Sequence, residues 1–164
     1  MDETVLLTGA GGYVGEAVLS ELSDEYDWKL LFHSPPDEVP DHEYLVGDVI
    51  NDDDVRAAME GVSAVIHLAG DPRPEAPWKS VLSTNVDGTQ KMYEAAVDEG
   101  VEKFVYASSN HAVGAYETDE RTPEMYRSED DFLLDGTEFP RPGNFYGISK
   151  ASCEVMGRYY HDTH

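Results

Sequence analysis

Apolar and polar positions fall along this chain in blocks with two different periods. Thr4 to Leu7 are β-branched or aliphatic and uncharged, which predicts a short buried strand. After a glycine-rich stretch the period becomes helical, with Val14, Val18, Leu19 and Leu22 on one face. Trp28 to Phe32 and Glu43 to Val46 predict a second and a third strand. Val55 to Met59 reads as a helix capped by Asn51 or Asp52. Ala64 to Gly70 is almost wholly apolar, as expected of a strand covered on both faces. Trp78 to Glu99 predicts a long helix stopped by Gly100. Lys103 to Ala107 predicts a fifth strand, and Asn144 to His161 a last helix. Between them, residues 116–143 form a long, charged, proline-containing loop, read as a segment that covers substrate.

The stretch Thr8-Gly9-Ala10-Gly11-Gly12-Tyr13-Val14-Gly15 lies between the first strand and the first helix. One glycine allows a sharp turn, the next lets backbone approach a pyrophosphate, and the last lets helix and strand pack closely. The free N–H groups at a helix start favour an anion. Gly9, Gly11, Gly12, Tyr13, Val14 and Gly15 are therefore candidate dinucleotide ligands. The alternation of strands and helices then predicts an α/β fold, a Rossmann-like doubly wound parallel sheet of order 3-2-1-4-5. A single domain over 1–164 is expected, with no internal repeat.

In such a sheet ligands bind beyond the carboxyl ends of the strands. The second strand ends in Phe32-His33-Ser34, which has neither the acid that binds NAD ribose nor an arginine for the NADP phosphate. NAD against NADP stays open. Asp48, with Val49, follows the third strand and is a candidate adenine ligand, since Asn51 or Asp52 already serves as helix cap. Leu68, Ala69 and Gly70 end the fourth strand and are candidate cofactor contacts, Ala69-Gly70 being small enough for a cofactor to pass. His67, inside that strand, reads as a hydrogen-bonded core histidine.

Charge changes the picture more than composition does. With 34 acidic against 11 basic residues the net charge is −23, which excludes nucleic-acid and anionic-membrane partners. Disorder would be one outcome of such charge, but 40% hydrophobic content in periodic blocks predicts a folded core with an acidic surface, of the halophilic kind. Self-repulsion destabilises a compact chain of this charge, and salt relieves it, the Debye length being about 3 Å at 1 M. Loss of structure on desalting is expected, and circular dichroism measures it; an unchanged spectrum would contradict the reading. Cys153 is alone, which excludes an intrachain disulfide and a multi-cysteine metal site, and it is expected to be a small buried residue. No metal site is expected, His161 and His164 being solvated. No stretch is long and apolar enough to span a bilayer, and Met1-Asp2-Glu3 opens no secretory signal, so a cytoplasmic location is expected.

Tyr146 and Lys150 stand four apart on the last helix and share a face. An ammonium near a phenol favours the phenolate, which would make Tyr146 a general base. Ser109 and Asn110, after the fifth strand, are candidates to polarise a substrate oxygen. The order of glycine turn, Asp48, Ala69-Gly70, Asn85, Ser108-Ser109 and Tyr-x-x-x-Lys resembles the extended short-chain dehydrogenase/reductases. The runs His67 to Gly70, Asp71 to Trp78, Ala107 to Thr118 and Arg141-Pro142 narrow the resemblance. They are similar to the uronate dehydrogenase group and its NAD-dependent glucose-6-phosphate dehydrogenases of halophilic archaea.

That resemblance implies oxidation of C1 of a cyclic sugar, a sugar phosphate or a uronate, to a lactone. Tyr146 would take the hydroxyl proton, and Lys150 would hold the nicotinamide ribose. Ser109, Asn110, His111 and Tyr146 would face the sugar, and Asn85 would support the cofactor side and a proton path. Two departures are visible. The acid that relatives carry near Phe32 is absent, and the spacing from Val113-Gly114 leaves Ser109 or Asn110 as the polarising residue. Members of the group continue with further strands and a substrate-binding part, so a C-terminally truncated form is expected. The resemblance also implies a homodimer through helices 78–99 and 144–161. Alternatives are a nucleotide-sugar epimerase or dehydratase, and a non-catalytic NAD(P)-binding fragment.

Overall fold

The computed structural model describes residues 3–118, 134 and 136–164, so most of the loop expected to cover substrate lies outside the described residues. Five strands form one parallel sheet in the order β3-β2-β1-β4-β5, the order expected. They are β1 (Thr4–Thr8), β2 (Asp27–Phe32), β3 (Glu43–Val46), β4 (Ala64–His67) and β5 (Lys103–Tyr106). Alternation along β1 sends Leu6 to one face and Val5 and Leu7 to the other. Leu6 joins Leu31, Val65 and Met92 beneath helices α2 (Asp52–Met59) and α4 (Gly88–Glu99). Val5 and Leu7 join Trp28 and Leu30, with Val18 and Leu19 of helix α1 (Tyr13–Leu22) against them. Val14, expected on this buried face, is instead 61% exposed. It sits in the first turn of α1, where the helix leaves the sheet and opens onto the strand ends.

Three further departures shape the site. Strand β4 ends at His67; beyond it the Leu68 N–H is shared between the Thr8 carbonyl, at 3.3 Å, and the Thr8 hydroxyl, at 3.2 Å, and the Ala69 N–H goes to that hydroxyl at 3.1 Å. The long helix after β4 is helical throughout but not uniform: α3 (Trp78–Ser80) leads into a π-helical run (Val81–Asp87) and then α4. Asn110–Thr118 is a 3-10 helix, which the sequence pattern did not predict. The last helix, α5 (Phe145–Thr163), begins at an Asn144 cap. Asn51 caps α2, accepting from the N–H groups of Asp53 and Asp54. At the other end of α2, buried Lys29 donates to the carbonyls of Ala57 and Glu60 at 2.8 and 2.9 Å, closing a helix end that needs acceptors satisfied. No helix among the described residues is long and apolar enough to cross a membrane.

His67 is a core histidine, as expected, with no exposed surface. The Thr8 hydroxyl, already accepting two N–H groups, donates to His67 Nδ1 at 2.7 Å. The ring proton therefore lies on Nε2, which donates to Thr89 at 3.0 Å. Burial, and then the Lys150 charge, push the ring down from 6.5 to about 3. The unfolded ring takes a proton below pH 6.5 that the folded ring refuses. Its stabilisation is thus complete above pH 6.5 and declines as pH falls toward 3, by about 1.4 kcal/mol per pH unit. Urea unfolding of wild type and His67→Gln between pH 7 and pH 5 should show that slope in the wild type and a shallower one in the variant. Parallel slopes would refute the assignment.

Candidate functional site

One cleft of about 1140 Å³ runs across the carboxyl ends of all five strands. Its floor is the glycine turn after β1, flanked by Asp48 and Val49 after β3, Leu68 to Gly70 after β4, and Ala107 and Ser108 after β5. Tyr146 and Lys150 of α5 close the far end.

The turn is built from the residues its sequence suggested. Gly9 has φ +70°, a left-handed backbone that favours glycine, and a Cβ there would lie 2.9 Å from the Ala69 nitrogen. A Cβ on Gly15 would meet the Gly9 and Ala10 carbonyl oxygens at 2.5 and 2.7 Å, so the third glycine seats α1 on the turn. Gly12 caps α1 with no side-chain hydrogen bond, leaving the first N–H groups of the helix to the cleft. Tyr13 and Val14 stand exposed beside them, 95% and 61%. These residues fit a bound diphosphate: open helix donors, and a backbone with no Cβ in the way.

At the near end the cleft is acidic. Asp48 lines it, its Oδ1 accepting from Ile50 N–H at 3.2 Å and its Oδ2 facing His33 Nδ1 at 3.7 Å. Asp37 and Glu38 reach the same wall from the proline-rich loop after β2.

The far end is held by a network that crosses three elements. Asn85, 1% exposed, does not line the cleft. From the π-helical run its Oδ1 accepts the Asp71 N–H at 2.7 Å. Its Nδ2 donates to the Asp71 carbonyl at 3.1 Å and to Ser149 Oγ at 3.0 Å. Ser149 in turn donates to the Tyr146 carbonyl at 2.7 Å. Asn85 thus ties the Gly70-Asp71 turn to the first turn of α5. Asp71 is fixed further by Arg73, at 2.8 and 2.6 Å, and by Ser80 at 2.6 Å. The Arg73 guanidinium, with Ser80, holds the Asp71 carboxyl well below the usual carboxylate range.

Lys150 is 6% exposed, donates to the Ala107 carbonyl at 2.6 Å, and has no carboxylate within ion-pair distance among the described residues. Its Nζ lies 4.8 Å from the Tyr106 ring centre and 5.7 Å from that of Tyr146. Burial draws its ammonium below the usual lysine range. Cys153 is buried behind it, its thiol donating to the Asn85 carbonyl at 3.2 Å and pushed up by burial.

The sequence-derived polar residues after β5 divide. Ser109 and Asn110 do not line the cleft. The 3-10 helix starts at Asn110, and Ser109 caps it locally, accepting from the His111 N–H at 3.2 Å and donating to Asn110 Oδ1 at 3.3 Å. Ser108 lines the wall instead and donates to Glu154. His111 stands edge-on to Tyr146, ring centres 5.6 Å apart at 73°. Among the described residues no cluster of metal-ligating side chains is present.

The glycine turn and the Tyr146–Lys150 helix thus stand on one cleft. The chain matches the NAD dependent epimerase/dehydratase family over residues 5–164. It belongs to that family. Within it, the chain is 64% identical to the NAD-dependent glucose-6-phosphate dehydrogenase of Haloferax volcanii, over all of this chain and 65% of that protein. It is 33% identical to an L-arabinose 1-dehydrogenase (NAD(P)(+)) of the same organism, over 98% of this chain and 62% of the other. The uronate dehydrogenase structure from Agrobacterium tumefaciens superimposes with a TM-score of 0.81 at 30% identity, over 98% of this chain and 56% of that one. The chain thus spans about half to two thirds of the length of these relatives. Of the residues that line the cleft, the glycine turn and Tyr146–Lys150 are visible in the sequence as local patterns. Asp37, Glu38, Ser80 and Thr84, which also line the cleft, carried no such pattern.

Proposed function

We propose that the chain is the cofactor-binding and proton-transferring part of an NAD-dependent dehydrogenase that oxidises C1 of a cyclic sugar, a sugar phosphate or uronate, to a lactone. The observation that carries this reading is the single cleft joining the open N-terminus of α1 to Tyr146 and Lys150. The likeness to dehydrogenases named for glucose 6-phosphate, arabinose and uronate supports a sugar as substrate.

In this reading the α1 N–H groups bind the cofactor diphosphate, and Asp48 and Val49 meet the adenine. Leu68 to Gly70 let the cofactor pass, and Lys150 holds the nicotinamide ribose. A nicotinamide cofactor held there would supply the hydride acceptor for C1. Tyr146 takes the proton of the C1 hydroxyl as the C1–O bond becomes a carbonyl. Lys150, almost fully buried beside the Tyr146 ring, favours the phenolate through space. Of the residues expected to face the sugar, His111 stands against the Tyr146 ring and serves it, whereas Ser109 and Asn110, bonded to each other and to the His111 N–H, take no part in this reading. Asn85 acts behind the wall, through Ser149 and Asp71. NAD is preferred to NADP, because a 2′-phosphate at the near end would meet Asp37, Glu38 and Asp48. Phe145, Ile148, Val155 and Tyr159 expose one apolar face of α5, 36% to 65%, and this supports a homodimer through that helix.

The test is NAD(P)H absorbance in high salt with glucose 6-phosphate, glucuronate and neutral aldoses. Reduction of NAD by an anionic sugar is expected, with NADP at least about tenfold poorer, a difference of about 1.4 kcal/mol. Copurifying cofactor with no net reduction would favour the epimerase reading. No response from any sugar with either cofactor would refute the dehydrogenase.

A further inference from the structure

We propose that Asn144 is a positioning residue that fixes His111 as an Nε2–H donor beside Tyr146; the donor's use on a sugar oxygen rests on the dehydrogenase reading above. Asn144 Oδ1 accepts the Gly147 N–H at 2.7 Å, the N-cap of α5. Since that N–H can only donate, the contact decides which end of the amide is oxygen. The other end, Nδ2, then faces His111 Nδ1 at 3.1 Å. An amide NH₂ has donors and no lone pair to offer, so Nδ1 must accept. The neutral ring therefore carries its proton on Nε2. An imidazolium would set Nδ1–H against the amide hydrogens, and the opposite tautomer would do the same.

One side chain thus performs two tasks. It caps the helix whose second residue is Tyr146, and it determines which nitrogen of His111 donates. The His111 ring meets the Tyr146 ring edge to face, behind the part of the wall that Tyr146 lines. A donor there selects an oxygen that accepts: the sugar ring oxygen, or the C1 oxygen as it loses its proton to Tyr146. An acceptor at the same place would oppose the charge that develops on that oxygen.

Asn144→Asp separates the two tasks. The carboxylate keeps the cap acceptor for Gly147 N–H but replaces the amide donor with an acceptor, which calls for a proton on Nδ1. The ¹⁵N shifts of the His111 ring, in the full chain in high salt, should show Nε2–H in the wild type and a protonated Nδ1 in Asn144→Asp, with the melting temperature unchanged. With sugar and NAD, kcat/KM should fall about tenfold to a hundredfold, the worth of one hydrogen bond to a charged group. In a His111→Phe background the same substitution should cost nothing further. A wild-type ring protonated on Nδ1, a tautomer indifferent to Asn144→Asp, or a full additional loss in the His111→Phe background would each overturn the proposal. The ring shifts need no turnover, so an inactive wild type would count against sugar oxidation and leave the Asn144 assignment to be decided by the shifts.

Discussion

Tyr146→Phe is expected to lower kcat for sugar oxidation by about two to four orders of magnitude, the range a positioned acid or base supplies. Binding of NAD, measured by fluorescence titration, should not change. The two readouts separate because the parts are separate in the fold. The open N–H groups proposed to hold the diphosphate come from the start of α1, whereas the phenol comes from the first turn of α5. Phenylalanine keeps the ring that His111 meets edge-on and that the Lys150 ammonium overlooks, so packing is preserved and only the hydroxyl is lost. A variant that retains a tenth or more of wild-type turnover would remove Tyr146 from the reaction. A variant that loses NAD affinity as well would show that the ring, not the hydroxyl, shapes the cleft.

What the residues revealed in advance follows from how far apart the determinants lie. Tyr146 and Lys150 are one helical turn apart, so their common face can be read from spacing alone. His67 could be placed because a lone polar residue in an apolar strand must find partners, and it found Thr8 and Thr89. The acidic wall at the near end of the cleft is not legible from the end of β2, where a ribose-binding acid is expected. There the chain has Phe32-His33-Ser34, and the carboxylates come from Asp37 and Glu38, beyond Pro35 and Pro36, which line the cleft as well. Ser109 and Asn110 were drawn to the site by motif position. The 3-10 helix that begins at Asn110 turns Ser109 onto its own backbone and leaves Ser108 at the wall. Asn85 belongs to a π-helical run that no periodicity announces, and its bonds to Asp71 and Ser149 join elements distant in the sequence. Local chemistry is written locally; the bracing that orients it is not.

Gly147 shows the same point with a sign that can be measured. By helix propensity alone, Gly147→Ala inside α5 should stabilise the helix by about 1 kcal/mol. The packing predicts the reverse. A Cβ at Gly147 would stand 2.1 Å from the His111 carbonyl oxygen, 2.8 Å from its carbon, and 3.1 Å from Pro142 Cβ. The first two are backbone atoms of the 3-10 helix and cannot rotate aside, so that helix must move off α5 by roughly an ångström. Overpacking of this kind costs about 1–3 kcal/mol, which exceeds the propensity gain, and the melting temperature should fall by roughly 5 °C for a chain of this size. Function should suffer more than stability. The displaced segment carries His111, whose ring meets Tyr146, and a misplacement of about 1 Å at a reacting centre can cost roughly a hundredfold in rate. The expected signature of Gly147→Ala is therefore a folded protein with a modestly lowered melting temperature, intact NAD binding at the distant α1 turn, and a large loss of kcat. A melting temperature that rises would mean that helix propensity has won and that the 3-10 helix does not press on α5 in solution.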